Sequence, residues 1–148
     1  MYFELFCQLL LATFLGAMIG FERETKRKEA GFRTYSLVAL GTCIFTLIAF
    51  KLFDFFYNKS GVAFDPSRII QAVAIGIGFI GAGVIFRQTS GVIGLTTAAG
   101  LWVTAAIGIG VGAKFYFLSI LGAFFALLIL VGFGLVEEKI FNKKTQKE

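Results

Sequence analysis

Almost all the chemistry open to this sequence rests on a few polar residues set into apolar surroundings. The string FERE puts Glu22, Arg23 and Glu24 at the end of an apolar run, and a basic loop then leads to Gly31-Phe32-Arg33-Thr34. Two readings stand side by side: an interfacial anchor in which Glu22 and Arg33 are solvated or paired, and a compact cytoplasmic site with a buried ion pair. Because charges inside or beside a membrane span are costly, each is a functional candidate, and Glu22 abuts the apolar run directly. Asp65-Pro66-Ser67-Arg68 has the form of a helix start, with Asp65 as N-cap acceptor and Pro66 presetting φ. Gln71 follows inside apolar sequence and needs a hydrogen-bond partner there. Arg87 closes the next apolar run, and Thr96 and Thr97 open the one after it, where threonine hydroxyls can bond back to their own helix. The candidate binding residues are therefore Glu22, Arg23, Arg33, Thr34, Asp65, Arg68, Gln71, Arg87, Thr96 and Thr97.

None of these is a catalytic candidate. The chain has no histidine, which removes the commonest transition-metal ligand and the usual proton carrier near neutrality. Cys7 and Cys43 lie singly in apolar runs, without the spacing of a zinc site or a disulfide framework, and read as small buried hydrophobes. No nucleophile and base stand at usable spacing. No enzyme activity and no cofactor are expected, and the sequence names no metal. Gly76, Gly78 and Gly81 spell GxGxxG, but dinucleotide binding needs a preceding strand and an acidic residue about 20 positions on. No Asp or Glu occurs between Asp65 and Glu137, so that reading is rejected.

The elements that must carry these residues are membrane helices. The composition is 57% hydrophobic and 16% charged, with a mean hydropathy of +0.84, far from soluble norms. Apolar stretches cover 5–21, 35–53, 69–86, 92–113 and 115–136, each about long enough to cross roughly 30 Å of hydrocarbon at 1.5 Å per residue. The fold expected is all-α: one transmembrane domain over 1–137, with Gly-rich, tightly packed third and fourth helices joined by a tight turn, then a short basic cytoplasmic tail over 138–148. The first stretch follows Glu4 rather than a basic region and reads as a helix, not a signal peptide. Arg23, Lys26, Arg27, Lys28, Arg33, Arg87 and the four tail lysines outnumber Lys51, Lys59, Arg68 and Lys114 on the other side. The positive-inside rule then places the N-terminus outside and the C-terminus in the cytoplasm. The net charge of +5 suits anionic lipid headgroups rather than nucleic acid.

Small residues recur at every fourth position: Ala12, Gly16 and Gly20; Ala74, Gly78 and Ala82; Thr96, Gly100, Thr104, Gly108 and Gly112. Such stripes let helix backbones approach closely, either within one chain or across a homodimer. Gly76, Gly78, Gly81, Gly83, Gly100, Thr104, Gly108 and Gly112 are the packing candidates, and Gly78→Leu is expected to push the third helix off its neighbour. The fifth stretch, rich in Leu and Phe, reads as lipid-facing.

Four motifs in order, LGAMIGFERE at 15–24, GFRTYSLVALG at 31–41, DPSRIIQAVAIGIGFIGAGVIF at 65–86 and GLTTAAGLWVTAAIGIGVG at 94–112, resemble the MgtC/SapB family of bacterial inner-membrane proteins. The resemblance implies a multi-pass membrane protein of about five helices. It implies a role in magnesium homeostasis, in growth at low magnesium or under acid stress, and in virulence of pathogens. It further implies action on other inner-membrane proteins, a magnesium transporter or the F-type ATP synthase. Many relatives carry a soluble C-terminal domain. This chain ends at Glu148, so it is expected to be a short, SapB- or YhiD-like member. A second reading is a small ion channel or transporter. A magnesium path would need carboxylates or carbonyls around a wet cavity, and the spans are nearly free of carboxylates. For an anion, Arg33, Arg68 and Arg87 flank the core, and the GFIGAG…TTAAG rhythm is loosely similar to small fluoride channels. Partners expected are membrane lipids, other inner-membrane proteins and a second copy of the chain.

Overall fold

Close approach of helix backbones organises this fold, and glycine makes it feasible. The structure is a computed structural model describing residues 2–57, 64–89 and 91–136. Five helices follow in order: α1 (Tyr2–Thr25), α2 (Phe32–Phe56), α3 (Pro66–Gly83), α4 (Leu95–Gly112) and α5 (Tyr116–Leu127), the last running into π-helical turns over Leu128–Phe133. Each span, counting Tyr116–Val136 as one, is long and apolar enough to cross a membrane. The basic tail over 138–148 and Lys59 lie outside the described residues.

α1, α2 and α4 pack against one another. A Cβ on Gly16 would come within 2.6 Å of the Tyr35 carbonyl oxygen and 2.7 Å of Ala39 Cβ, and one on Gly20 within 2.8 Å of Phe32 Cα. From α4, Gly100 abuts the Tyr35 ring, Gly108 abuts Ala39 and Thr42, and Gly112 abuts Cys43 and Thr46. Two of the three small-residue stripes are thus consumed inside one chain, converging on Tyr35 and Ala39 of α2. Ala12, Leu15, Ile19, Tyr35, Ala39, Cys43, Leu101, Ala105 and Val111 form the core between these helices. Large apolar residues such as Phe79, 86% exposed, and Phe117 cover the outside, the arrangement suited to a lipid solvent.

The third stripe behaves otherwise. A Cβ on Gly76, Gly78 or Gly83 would meet nothing within 4 Å, and only Gly81 packs, at 3.5 Å from Ala98 Cβ. Tight glycine packing therefore belongs to α4 and not to α3, where Gly81 makes only an ordinary contact, and the expectation for Gly78→Leu does not hold within this chain. Thr96, at the head of the α4 stripe, is exposed, whereas Thr104 is fully buried.

The link between α3 and α4 also departs from a simple turn between helices. α3 stops at Gly83, and Phe86–Gln88 (β1) pairs antiparallel with Gly91–Ile93 (β2). Gly91 (φ 137°) and Gly94 (φ 86°) occupy conformations no helix contains, and the β-branched Val84, Ile85, Val92 and Ile93 favour strand. Arg87 accordingly does not end the third helix; it stands exposed on β1. Cys43 is buried as expected, but Cys7 is exposed, because it falls on the outer face of α1.

Among the described residues, two helix ends close through a charged residue in the αL conformation. After α1, Lys28 N–H donates to Arg23 C=O and Arg27 N–H to Glu24 C=O, with Arg27 at φ 51°. After α4, Phe115 N–H donates to Gly110 C=O and Lys114 N–H to Val111 C=O, with Lys114 at φ 66°. Both are Schellman closures, in which glycine is the usual αL residue. Lys114 uses its side chain as well, bonding Glu4 at 2.5 Å and tying the start of α1 to the end of α4. That carboxylate holds the Lys114 ammonium above its ordinary pKa.

Candidate functional site

Thr97, in the first turn of α4, is where four segments meet. Its hydroxyl donates to Glu29 Oε2 at 2.6 Å and accepts from Arg23 Nη2 at 3.5 Å, and its carbonyl accepts from the Tyr35 hydroxyl at 3.1 Å. Arg23 Nη1 reaches Glu22 Oε2 at 3.4 Å, and Lys26 Nζ lies 3.6 Å from Glu22 Oε1. The last turn of α1, the loop after it, the first turns of α2 and the start of α4 therefore share one polar cluster.

Burial makes the cluster consequential. Arg23 is 4% exposed and Glu22 9%, so each is a charge taken from water whose partner matters; breaking such a pair typically costs about 3–5 kcal/mol. Arg23 is under-supplied even so. A guanidinium has five donors, and this one makes two long contacts while its Nε has no partner among the described residues. Glu29 is exposed, and its carboxyl sits below the ordinary 4.5, first through the Thr97 hydroxyl, then through its own backbone N–H, with Lys28 and Arg23 adding to the effect.

The neighbouring loop is built to hold this geometry. Glu24, beside the buried pair in FERE, turns outward and accepts the Phe32 N–H at 3.0 Å, supplying α2 with the cap that Gly31 cannot. A Cβ on Gly31 would collide with that carboxylate. A side chain at 31 would therefore displace the exposed Glu24 carboxylate from the Phe32 N–H. Gly94 is required, because its φ is positive and a Cβ would strike the Val84 carbonyl.

Beside the cluster opens a cleft of about 770 Å³, walled by Arg23, Lys26, Lys28 and Glu29, by residues 92–97, and by Ile129, Leu130, Phe133 and Gly134 of the π-helical end of α5. π-helical turns often occur at functional sites. Below Tyr35 the interior changes character. Thr104, Thr42 and Thr46 return their hydroxyls to the carbonyls of Gly100, Val38 and Thr42 on their own helices. At the opposite end, the buried Gln8 donates to the Val111 and Gly112 carbonyls, satisfying the end of α4.

Of the residues expected from sequence, Glu22, Arg23 and Thr97 come together, and Thr96 lines the cleft beside them. Arg33 is exposed and outside the cluster; the partners of Glu22 are Arg23 and Lys26. Thr34 faces an apolar groove of about 980 Å³ between α2 and α3, with Arg68 at the groove's far end. Asp65 caps α3, accepting from Ser67 N–H at 2.9 Å, which holds its carboxyl below the usual range. Gln71 lies exposed on α3, with no hydrogen-bond partner among the described residues. The three arginines thought to flank an anion route are not gathered at one place. Sequence reasoning missed Glu29, Tyr35, Lys26 and Gln8. An acid inside the basic loop and a glutamine inside an apolar run were the available signals. Among the described residues, no group of three or more carboxylates or thiols is placed to hold a metal.

Comparison with known proteins places these features. Residues 9–139 match the MgtC family. The Escherichia coli (strain K12) protein named "Putative magnesium transporter YhiD" is 40% identical over 140 residues, 95% of this chain and 65% of that protein. SapB of Bacillus subtilis (strain 168) is 34% identical over 146 residues, 98% of this chain and 63% of its own length. MgtC of Brucella abortus (strain 2308) is 42% identical over 102 residues, 69% of this chain and 40% of its own. The chain thus spans just under two thirds of YhiD and SapB and two fifths of MgtC. No solved structure matches it.

Proposed function

This chain belongs to the MgtC family and is a multi-pass membrane protein, and from that premise we propose that it serves magnesium homeostasis as a non-enzymatic regulator of other inner-membrane proteins. The observation that carries this reading is the confinement of the charged cluster to one end. Between Tyr35 and Gln8, the interface of α1, α2 and α4 is closed by glycine contacts at Gly16, Gly100, Gly108 and Gly112, and its buried threonines are bonded to their own helices. Hydrated magnesium sheds water reluctantly and needs oxygen ligands along its way. Between those two levels the described residues of α1, α2 and α4 place no carboxylate in that interior.

The regulator sits with the Glu22–Thr97 end in the cytoplasm and the Glu4–Lys114 end outside, as the basic loop 26–33 favours. It acts on a magnesium transporter or the F-type ATP synthase during low-magnesium or acid stress, in pathogens as part of virulence, and the charged cluster is its working site. Genetic dependence tests this. Expressed in a host without its own family member, the chain restores growth at low magnesium, and restoration disappears when the gene for the true partner, pump or synthase, is also deleted. Restoration that survives both deletions contradicts the proposal.

A further inference from the structure

The cleft at the Thr97 end has the parts of an oxyanion site, and its present occupant belongs to the chain itself. α4 begins at Leu95 with Gly94 as a cap that offers no side chain. The first N–H groups of a helix have no partner within it and carry its positive dipole end. Arg23 supplies a second, independent element. It is 4% exposed and lines the cleft; its Nη1 is turned to Glu22, its Nη2 approaches Thr97, and its Nε is buried with no hydrogen-bond partner among the described residues. The Nε–Nη2 edge is one of the two forks by which a guanidinium holds phosphate or carboxylate bidentately. Lys26 and Lys28 line the same cleft.

What stands there now is the Glu29 carboxylate, bonded to Thr97 and exposed on a loop that turns through the αL residue Arg27. We infer that this cleft binds the phosphate group of a small phosphorylated molecule or of a phospholipid headgroup, between Arg23 and the start of α4, with Glu29 as the internal anion that the ligand displaces. Phosphate rather than a bare halide fits the fork geometry, and Ile129, Leu130 and Phe133 offer an apolar wall to whatever the phosphate is attached to. The volume of about 770 Å³ lies within the range of small-molecule sites. The inference rests on the charged cluster being the working site of the proposed regulator, but it concerns binding alone.

The test uses the purified full chain and reads thermal midpoint and direct binding. Inorganic phosphate and adenosine monophosphate are titrated in detergent against chloride at equal ionic strength. In parallel, nanodiscs of phosphatidylglycerol are compared with nanodiscs of phosphatidylcholine titrated with the same probes. Stabilisation by the soluble probes identifies a soluble ligand; stabilisation confined to phosphatidylglycerol identifies a headgroup. In either arm Glu29→Gln, which removes the competing charge, strengthens binding by roughly tenfold, within the usual range for coupled sites. Lys28→Gln weakens it, and Arg23→Gln abolishes it. Because Arg23→Gln can also fail to fold, the Glu29 and Lys28 variants carry the decision. Phosphate and phosphatidylglycerol that do no more than chloride and phosphatidylcholine, in wild type and Glu29→Gln alike, overturn the inference. That result would leave the growth and gene-deletion outcome standing, so the two readings fail separately.

Discussion

Thr97 joins two opposite charges through one hydroxyl, taking the Arg23 guanidinium on one side and giving its proton to Glu29 on the other. Thr97→Val keeps the shape and removes both bonds. Hydrogen bonds to charged groups are worth about 1.5–3 kcal/mol each when buried, and the exposure of Glu29 reduces its share, so a loss of roughly 2 kcal/mol is expected from the thermal midpoint. The same pair gives a pH signature. Glu29 is depressed below 4.5 in the folded chain, so its contribution is full above that value and is lost as pH falls through its lower folded value. The difference in midpoint between wild type and Glu29→Gln should shrink on acidification below pH 4.5; a difference that grows would contradict the Thr97 bond. Gln8 was invisible as a site residue for a related reason. One glutamine in an apolar run does not announce which carbonyls it will meet, and the Val111 and Gly112 carbonyls lie a hundred residues away.

Among elements, the two glycine-bearing stripes of α1 and α4 differ from that of α3 in what they touch. Gly108→Leu drives a side chain into Ala39 and Thr42 of α2 and is expected to cost at least about 3 kcal/mol, as overpacking of a fixed interface does. Gly78→Leu meets open space and should leave the midpoint of the isolated chain within about 0.5 kcal/mol of wild type, as surface changes do. Spacing marked all three stripes equally in the sequence, because period-four glycine says that a close approach is feasible, not that a neighbour is present. The αL turns make a second contrast. Arg27 holds a conformation that costs an L-residue about 1–2 kcal/mol. Arg27→Gly should therefore raise stability by about 0.5–1 kcal/mol once glycine's larger chain entropy is offset, checked by the midpoint in detergent. The hairpin between α3 and α4 was hidden because its strands are three residues each, and apolar residues read alike as short strand or helix end.

For the whole molecule, five spans followed directly from hydropathy, and the helices overran their apolar cores by a turn at several ends, where Glu22, Arg23, Glu24 and Phe32 are helical too. Half of the candidate site was also legible: charges abutting an apolar run pointed to Glu22 and Arg23, while Glu29 and Tyr35 depend on α4 folding back against the first loop. Family membership and helix packing converge on a membrane bundle whose polar cluster faces one side, above an interior closed by backbone contacts. The most direct measurement of that closure is ion flux into liposomes carrying the purified, folded chain, with magnesium-, proton- and fluoride-sensitive readouts under imposed gradients. The account predicts tight vesicles in all three channels of detection; flux that Glu22→Ala or Arg23→Ala abolishes would contradict it and make the chain a conduit.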